Sequence, residues 1–114
     1  MEEKELEKEK MNKTEKIFLV YLSLYLFGVF LNIYAISVNN WRMPVHTENN
    51  INTSLHFSYQ DFSMIKAWYL TDIIEYGGWI SSIGDVFIFI FGIAVLFMLI
   101  FLQILRLQRN RKVY

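Results

Sequence analysis

The chain has 114 residues, enough for one small unit, and its mean hydropathy of +0.28 with 54% hydrophobic and 18% aromatic side chains exceeds that of ordinary soluble domains. Eleven basic and eleven acidic residues cancel, so there is no overall field to attract nucleic acid. Cysteine is absent from the sequence, which excludes disulfides, thiolate metal sites, a cysteine nucleophile and a lipoprotein anchor.

Residues 1–16 are dominated by Glu and Lys and predict a charged cytoplasmic segment that buries nothing. Opposite charges three or four residues apart favour a solvated helix here. Met11 opens a shorter plausible start, which leaves open whether residues 1–10 belong to the natural product.

Residues 17–38 contain no charge and predict the first transmembrane helix, since about 20 apolar residues suffice to cross the hydrocarbon core. A cleaved signal peptide is the alternative, because Ala35-Ile36-Ser37 resembles a small-x-small cleavage site. The apolar stretch is longer than a signal peptide needs, and the residues before it are mixed in charge. Both features favour a retained helix.

Residues 82–105 predict the second transmembrane helix, because the run from 86 to 102 has no polar side chain. A basic cytoplasmic tail, residues 106–114, follows it with four cations: Arg106, Arg109, Arg111 and Lys112. Since Lys and Arg near the membrane set orientation, we expect both termini in the cytoplasm and residues 39–81 outside the cell. The outer boundary then carries three aromatic residues: Trp41, Tyr76 and Trp79.

Small and polar residues recur on one face of each predicted span, as pairing between helices in lipid requires. The face of the first span consists of Tyr21, Tyr25, Gly28, Asn32 and Ala35. The face of the second span consists of Asp85, Ile88, Gly92, Val95 and Leu99. Spacings of three and four residues place each set on a single helix face. These stripes predict an antiparallel hairpin of two packed helices.

In such a hairpin Asn32 and Asp85 lie at similar depth below the outer surface, so we predict that the Asn32 amide donates to the Asp85 carboxylate. The alternative is that either side chain faces a further helix. The same arrangement predicts that Gly28 and Gly92 face each other near the middle of the membrane.

The external loop contains a second predicted helix, about residues 61–76, because apolar residues recur there at helical spacing. A capping pattern from Ser58 to Asp61 precedes it, and Gly77-Gly78 is expected to end it. We expect this amphipathic helix to lie on the outer membrane surface.

Two charged residues at the outer mouth have competing interpretations. Asp85 follows Ser82 in a capping pattern and is either a helix cap or, as an acid just inside the apolar boundary, part of a binding site. Arg42 is expected to close the outer end by bonding Asp85 or Asp72, or else to bind a phosphate or carboxylate head group. Structural closure is the favoured interpretation.

His46 and His56 are ten residues apart, a spacing that matches no metal motif, so a zinc site is disfavoured and no cofactor is predicted. Nor does the sequence contain a glycine-rich phosphate loop or a nucleophile motif.

Three boundary motifs, NNWRMPV at 39–45, WYLTDII at 68–74 and SIGDV at 82–86, together with His56, resemble a family of bacterial integral membrane proteins catalogued only as a domain of unknown function. The resemblance extends over roughly residues 17–105. It implies membrane residence, a bacterial source and importance for four residues: Arg42, Pro44, Asp72 and Asp85. It implies no activity. Because the resemblance implies additional spans before residue 17 in longer members, we expect this chain to be a shortened form.

The sequence therefore predicts an all-α membrane protein, a two-transmembrane-helix antiparallel hairpin in the bacterial cytoplasmic membrane. We expect a non-enzymatic accessory or interaction subunit whose partners are the lipid bilayer and another membrane protein or a second copy. The alternative function is a lipid or isoprenoid head-group site built from Arg42, Asp72 and Asp85, with His46 or His56 as acid–base. A holin-like hairpin is a third and weaker possibility.

Overall fold

The computed structural model of the chain describes residues 2–113. Two long helices, α1 (Glu2–Ser37) and α2 (Ile83–Val113), enclose a segment of short elements, residues 38–82, which we call the cap. The cap contains β1 (Met43–His46), β2 (His56–Tyr59), 3-10 turns at Phe62–Met64 and Trp68–Leu70, β3 (Ile74–Tyr76) and β4 (Trp79–Ser81). The molecule measures 64 × 23 × 22 Å, so it is an elongated pair of helices with the cap at one end.

The two helices pack side by side with their contacts in opposite order along the chain. Asn32 meets Asp85 near the cap, and farther from it the rings of Tyr21 and Phe91 stack at 6.1 Å. The helices are therefore antiparallel. The predicted face of α1 is confirmed, since its five residues are buried or half-buried; on α2 Leu99 is the exception and is exposed.

Each helix is long and apolar enough to cross a membrane. The most apolar 18-residue windows have mean hydropathies of 2.0 in α1 and 2.9 in α2. Only 6% of the first window and none of the second is buried within the chain. These helices therefore differ from the core helices of soluble proteins, which bury their apolar residues against the rest of the fold.

Gly28 packs closely against Gly84 and Phe87 of α2, not against Gly92. A Cβ on Gly84 would lie 2.7 Å from the Gly28 carbonyl oxygen, and a Cβ on Gly28 would lie 2.8 Å from the Gly84 carbonyl oxygen. Gly92 instead packs against the Tyr25 ring, at 3.3 Å from the corresponding Cβ position. The predicted pairing of Gly28 with Gly92 is wrong because Gly84 allows the backbones to touch nearer the cap.

The cap is built around β1, which pairs with a neighbour on each side. Parallel β2 lies on one side, in a register that runs from Met43 opposite His56 to His46 opposite Tyr59. On the other side the Asp72 amide donates to the Pro44 carbonyl at 3.0 Å, and the Asp72 carbonyl accepts from the His46 amide at 2.8 Å. This pairing places Asp72 at the centre of the cap.

The predicted amphipathic helix over 61–76 is wrong. The Asp61 carboxylate caps a single 3-10 turn, Ala67 adopts a left-handed backbone with φ +50°, and residues 74–76 are a strand. Gly77 and Gly78, with φ of +53° and +83°, form the two-residue turn of the β3–β4 hairpin. The backbone of this segment pairs with β1 and β4, and these long-range hydrogen bonds override the local helical periodicity.

Candidate functional site

Three polar side chains form a closed hydrogen-bond network where the cap meets the helices. The Asn32 amide donates to Asp85 Oδ1 at 2.8 Å, which is the predicted bond. The Ser82 hydroxyl donates to Asn32 Oδ1 at 2.6 Å. Since Ser82 is fully buried and the other two are partly buried, the network joins α1 to the first turn of α2 away from bulk solvent.

The same residues cap α2. The Asp85 amide donates to the Ser82 hydroxyl at 3.0 Å, and the Ser82 amide donates to Asp85 Oδ2 at 3.2 Å. These reciprocal bonds are a capping box, so the predicted capping pattern is confirmed. Both carboxylate oxygens of Asp85 are thereby engaged by the protein itself, one across the helix pair and one at the helix terminus.

Asp72 is the most unusual ionisable group in the cap. Its residue surface is 6% exposed, and the carboxylate oxygen Oδ1 is buried without a hydrogen-bond partner among the described residues. Oδ2 lies 4.0 Å from Nε2 of His56, whose side chain is 46% exposed. Burial and, secondarily, the negative charge of Asp85 raise the pKa of Asp72 to about 7. The Asp72 carboxyl can therefore lose its proton near neutral pH.

Arg42 lies away from both acids to which it was predicted to bond. Its Nε donates to the Thr53 carbonyl at 3.0 Å, its Nη2 donates to the His56 carbonyl at 3.1 Å and to the Asn52 side chain, and its guanidinium lies 5.0 Å from the Phe57 ring centre. The prediction that Arg42 bonds Asp85 or Asp72 is wrong. The β1–β2 connection folds back over the guanidinium and supplies its hydrogen-bond acceptors. Arg42 thus stabilises the cap by ordering residues 52–57.

Pro44 and Asn39 hold the backbone around the cap core. Pro44 is fully buried in β1 and needs no amide partner there, while its carbonyl accepts from Asp72. Asn39, which the sequence reasoning missed, is buried and donates from one side-chain nitrogen to the carbonyls of Ala35 and Lys66, each at 2.8 Å. An asparagine directly beyond the apolar first span, two residues after the end of α1, was the available signal.

An aromatic cluster lies at the end of the β1–β2 pairing where His46 is opposite Tyr59. His46 stacks on Phe62 at 4.3 Å, and Phe62 contacts Trp68 at 4.7 Å. Tyr59 lies beside them, hydrogen-bonded through its hydroxyl to Thr71 at 2.6 Å, and burial raises the pKa of its phenol. His46 and His56 therefore lie at opposite ends of the β1–β2 pairing, and only His56 approaches an acid.

Comparison with known proteins assigns the chain to a family. Residues 11–100 match the family of unknown function DUF5317. The chain belongs to DUF5317. This confirms the predicted membership of a family without an assigned function. No curated protein and no solved structure matches the sequence.

In this DUF5317 chain the aromatic residues predicted at the outer boundary are all highly exposed at the cap. Trp79 is 74% exposed, Trp41 is 70% exposed and Tyr76 is 56% exposed. Trp41 has a left-handed backbone with φ +63°, a conformation that is costly for a bulky residue. Tyr76 and Trp79 are paired across the β3–β4 hairpin next to its glycine turn. The cap of this DUF5317 chain thus exposes large aromatic rings beside its exposed charged residues, which include Glu48, Asp61, Lys66 and Glu75.

Proposed function

We propose that this chain is a two-span protein of the bacterial cytoplasmic membrane that acts as an interaction subunit. In this proposal α1 and α2 cross the bilayer as an antiparallel hairpin, both ends are cytoplasmic, and the cap lies outside. The observation that carries the membrane assignment is that only 6% of the first apolar 18-residue window and none of the second is buried within the chain. Such a surface is stable in lipid and unstable in water.

The distribution of cations supports the orientation. Arg106, Arg109 and Arg111 follow the apolar part of α2, and Lys13 and Lys16 precede the apolar part of α1. The cap contains two cations, at positions 42 and 66. By the positive-inside rule the helix ends remote from the cap belong in the cytoplasm.

An interaction role is supported by how the cap uses its polar groups. Asp85 and Asn32 are engaged with each other and with Ser82, and Arg42 is engaged with residues 52–57. The cap also presents exposed tryptophan and tyrosine, residue types that are enriched at protein interfaces and at the membrane boundary. A partner with an apolar or aromatic surface beside the outer leaflet fits this chemistry.

The head-group alternative has weaker support. It requires Arg42, Asp72 and Asp85 to converge on one ligand, with a histidine as acid–base. Asp72 does lie beside His56, but Arg42 is directed to the residue 52–57 loop. The alternative therefore lacks the cation that would bind a phosphate.

Membrane topology can be tested with single cysteines, because the sequence contains none. Trp79→Cys in the cap and Gln108→Cys near the end of α2 are expressed in bacteria and exposed to a membrane-impermeant maleimide. We expect labelling of position 79 in intact spheroplasts and of position 108 only after the membrane is permeabilised. Labelling in the reverse order, or recovery of the protein in the soluble fraction, would refute the proposal.

The interaction role can be tested with a photo-crosslinking amino acid at position 79 and, as a control, at position 55. Leu55 is a matched position because it is apolar and 68% exposed but is not one of the boundary aromatics. A discrete protein adduct at position 79 and not at position 55 is expected. Crosslinks to lipid alone at both positions would mean that the aromatic rings anchor the cap in the membrane and bind no protein.

A further inference from the structure

A groove of about 390 Å³ lies between α1 and α2 at the end of the molecule remote from the cap. Its apolar lining residues lie nearer the cap along both helices, and its polar lining residues, which we call the rim, lie farther from the cap. The apolar residues are Phe18, Leu19, Leu99 and Leu102, and the polar residues are Glu15, Gln103 and Arg106. The volume falls within the range of roughly 300–1,000 Å³ in which proteins bind small molecules.

The rim places opposite charges on the two helices. Glu15 belongs to α1 and Arg106 to α2, and both side chains are exposed. They line one groove, yet no ion pair within 4.0 Å joins these two described residues. A ligand that carries both a negative and a positive group can therefore bridge the rim. Gln103 adds an amide that can donate to a phosphate oxygen.

We propose that this groove binds one phospholipid with a primary-ammonium head group, of the phosphatidylethanolamine class, from the cytoplasmic leaflet. One acyl chain lies against Leu99 and Leu102, the phosphate accepts from Arg106 and Gln103, and the ammonium donates to Glu15. The inference rests on the proposed transmembrane arrangement, which places this groove at the inner membrane boundary. Arginine suits the phosphate because its guanidinium offers a planar fork of donors.

The charge of the rim selects among lipids. An anionic glycerol head group would bring a phosphate to Arg106 but would leave Glu15 without a cation. A choline head group would bring a positive charge that has no N–H to donate to the Glu15 carboxylate. The ethanolamine head group satisfies both sides of the rim, so Glu15 is the residue that determines specificity.

Native mass spectrometry of the full chain in mild detergent tests this. The protein is mixed with equal amounts of phosphatidylethanolamine, phosphatidylglycerol and phosphatidylcholine that carry the same acyl chains. We expect ethanolamine adducts to exceed choline adducts by roughly threefold to tenfold, the effect of one typical hydrogen bond that stays accessible to water. Glu15→Gln should abolish that preference, and Arg106→Gln should weaken all phospholipid adducts. Arg111→Gln is the control, since Arg111 does not line the groove.

Several outcomes would overturn the lipid site. They are a preference for phosphatidylglycerol in the native chain, an unchanged ethanolamine preference in Glu15→Gln, or an equal effect of Arg111→Gln and Arg106→Gln. A lipid-free dimer would also overturn it, because a second copy would then cover the groove. Glycerophosphoethanolamine, which has no acyl chains, should not compete with phosphatidylethanolamine for the groove. If it does compete, the apolar lining residues contribute nothing to binding. Maleimide labelling of the same variants checks the topology separately, so failure of the site and failure of the transmembrane arrangement are distinguishable.

Discussion

The contact of Gly84 with α1 predicts that Gly84→Ala separates the helices. The added Cβ would lie 2.1 Å from Asn32 Oδ1 and 2.7 Å from the Gly28 carbonyl oxygen. An ordinary contact begins near 3.4 Å, so the α1 backbone must retreat by about 0.7 Å and the Asn32 amide by about 1.3 Å. The second displacement breaks the bonds from Asn32 to Asp85 and from Ser82 to Asn32, which are 2.8 and 2.6 Å long.

The loss of stability expected for Gly84→Ala follows from the number of hydrogen bonds lost between the helices. Hydrogen bonds between membrane helices contribute about 0.6–1.7 kcal/mol each, so losing two should cost about 1–3 kcal/mol before any loss of packing. Gly92→Ala is the matched control. Its added Cβ would meet only the edge of the Tyr25 ring at 3.3 Å, which a small rotation relieves, so we expect a cost below about 0.5 kcal/mol.

Unfolding by sodium dodecyl sulphate in mild detergent measures both variants. All three tryptophans, at positions 41, 68 and 79, lie in the cap, so their fluorescence follows the cap while far-ultraviolet circular dichroism follows the helices. Asn32→Ala removes the same two bonds without a clash, and combining it with Gly84→Ala should cost less than the sum of the single changes. If Gly84→Ala matches the native chain, or if Gly92→Ala is equally costly, the proposed role of the Gly28–Gly84 contact is wrong.

Three further predictions concern the cap. The pKa of Asp72 is raised from 3.8 to about 7 in the folded protein. The free energy of unfolding therefore falls as pH rises between these two values, and it stays lower above pH 7. Asp72→Asn should therefore raise stability at pH 8, by up to about 4 kcal/mol, and leave it nearly unchanged at pH 4, with fluorescence midpoints at the two pH values as the measurement; equal gains at both would contradict burial of the charge. Arg42→Gln should speed proteolysis within residues 47–57 while helix content stays constant, because the guanidinium supplies three hydrogen bonds there; an unchanged cleavage rate would mean that the guanidinium does not order this loop. Asn39→Ala should lower the free energy of unfolding by about 1–3 kcal/mol, since two carbonyls lose their side-chain donor, and a change under 0.5 kcal/mol would contradict this.

The helix pair could be predicted from the sequence because its rules are local. A spacing of three and four residues identifies the packing face, and the Ser82–Asp85 pattern identifies the start of α2. The bond between Asn32 and Asp85 also fixes the register. Tyr25 precedes Asn32 by seven residues and Gly92 follows Asp85 by seven, so this bond alone places Gly92 opposite Tyr25, as observed.

The cap could not be predicted in the same way, because its strands are three or four residues long and β1 pairs with residues 13 and 27 positions along the chain. Phe62, Ile65 and Tyr69 recur at helical spacing, yet Ile65 and Ala67 adopt extended and left-handed backbones. The glycine pair at 77–78 was a hairpin signal that the helical interpretation concealed. For Asp72, the pairing with β1 spans 27 residues of sequence, from Val45, and no local pattern encodes it.

The place where the cap meets the two helices also explains why the cap and the helices require each other. Among the residues whose burial is described, five apolar side chains are buried, Ala35, Met43, Pro44, Val45 and Tyr59, and one of them belongs to α1. A segment of 45 residues is close to the size of about 40 residues below which domains usually need disulfides, metals or a partner, so with so small an apolar core we expect the cap to depend on the helices. The helices in turn gain no hydrophobic attraction for each other in lipid and depend on close contact and hydrogen bonds. The Ser82–Asn32–Asp85 network meets both needs at once, since it closes the base of the cap with the same bonds that hold the helices together.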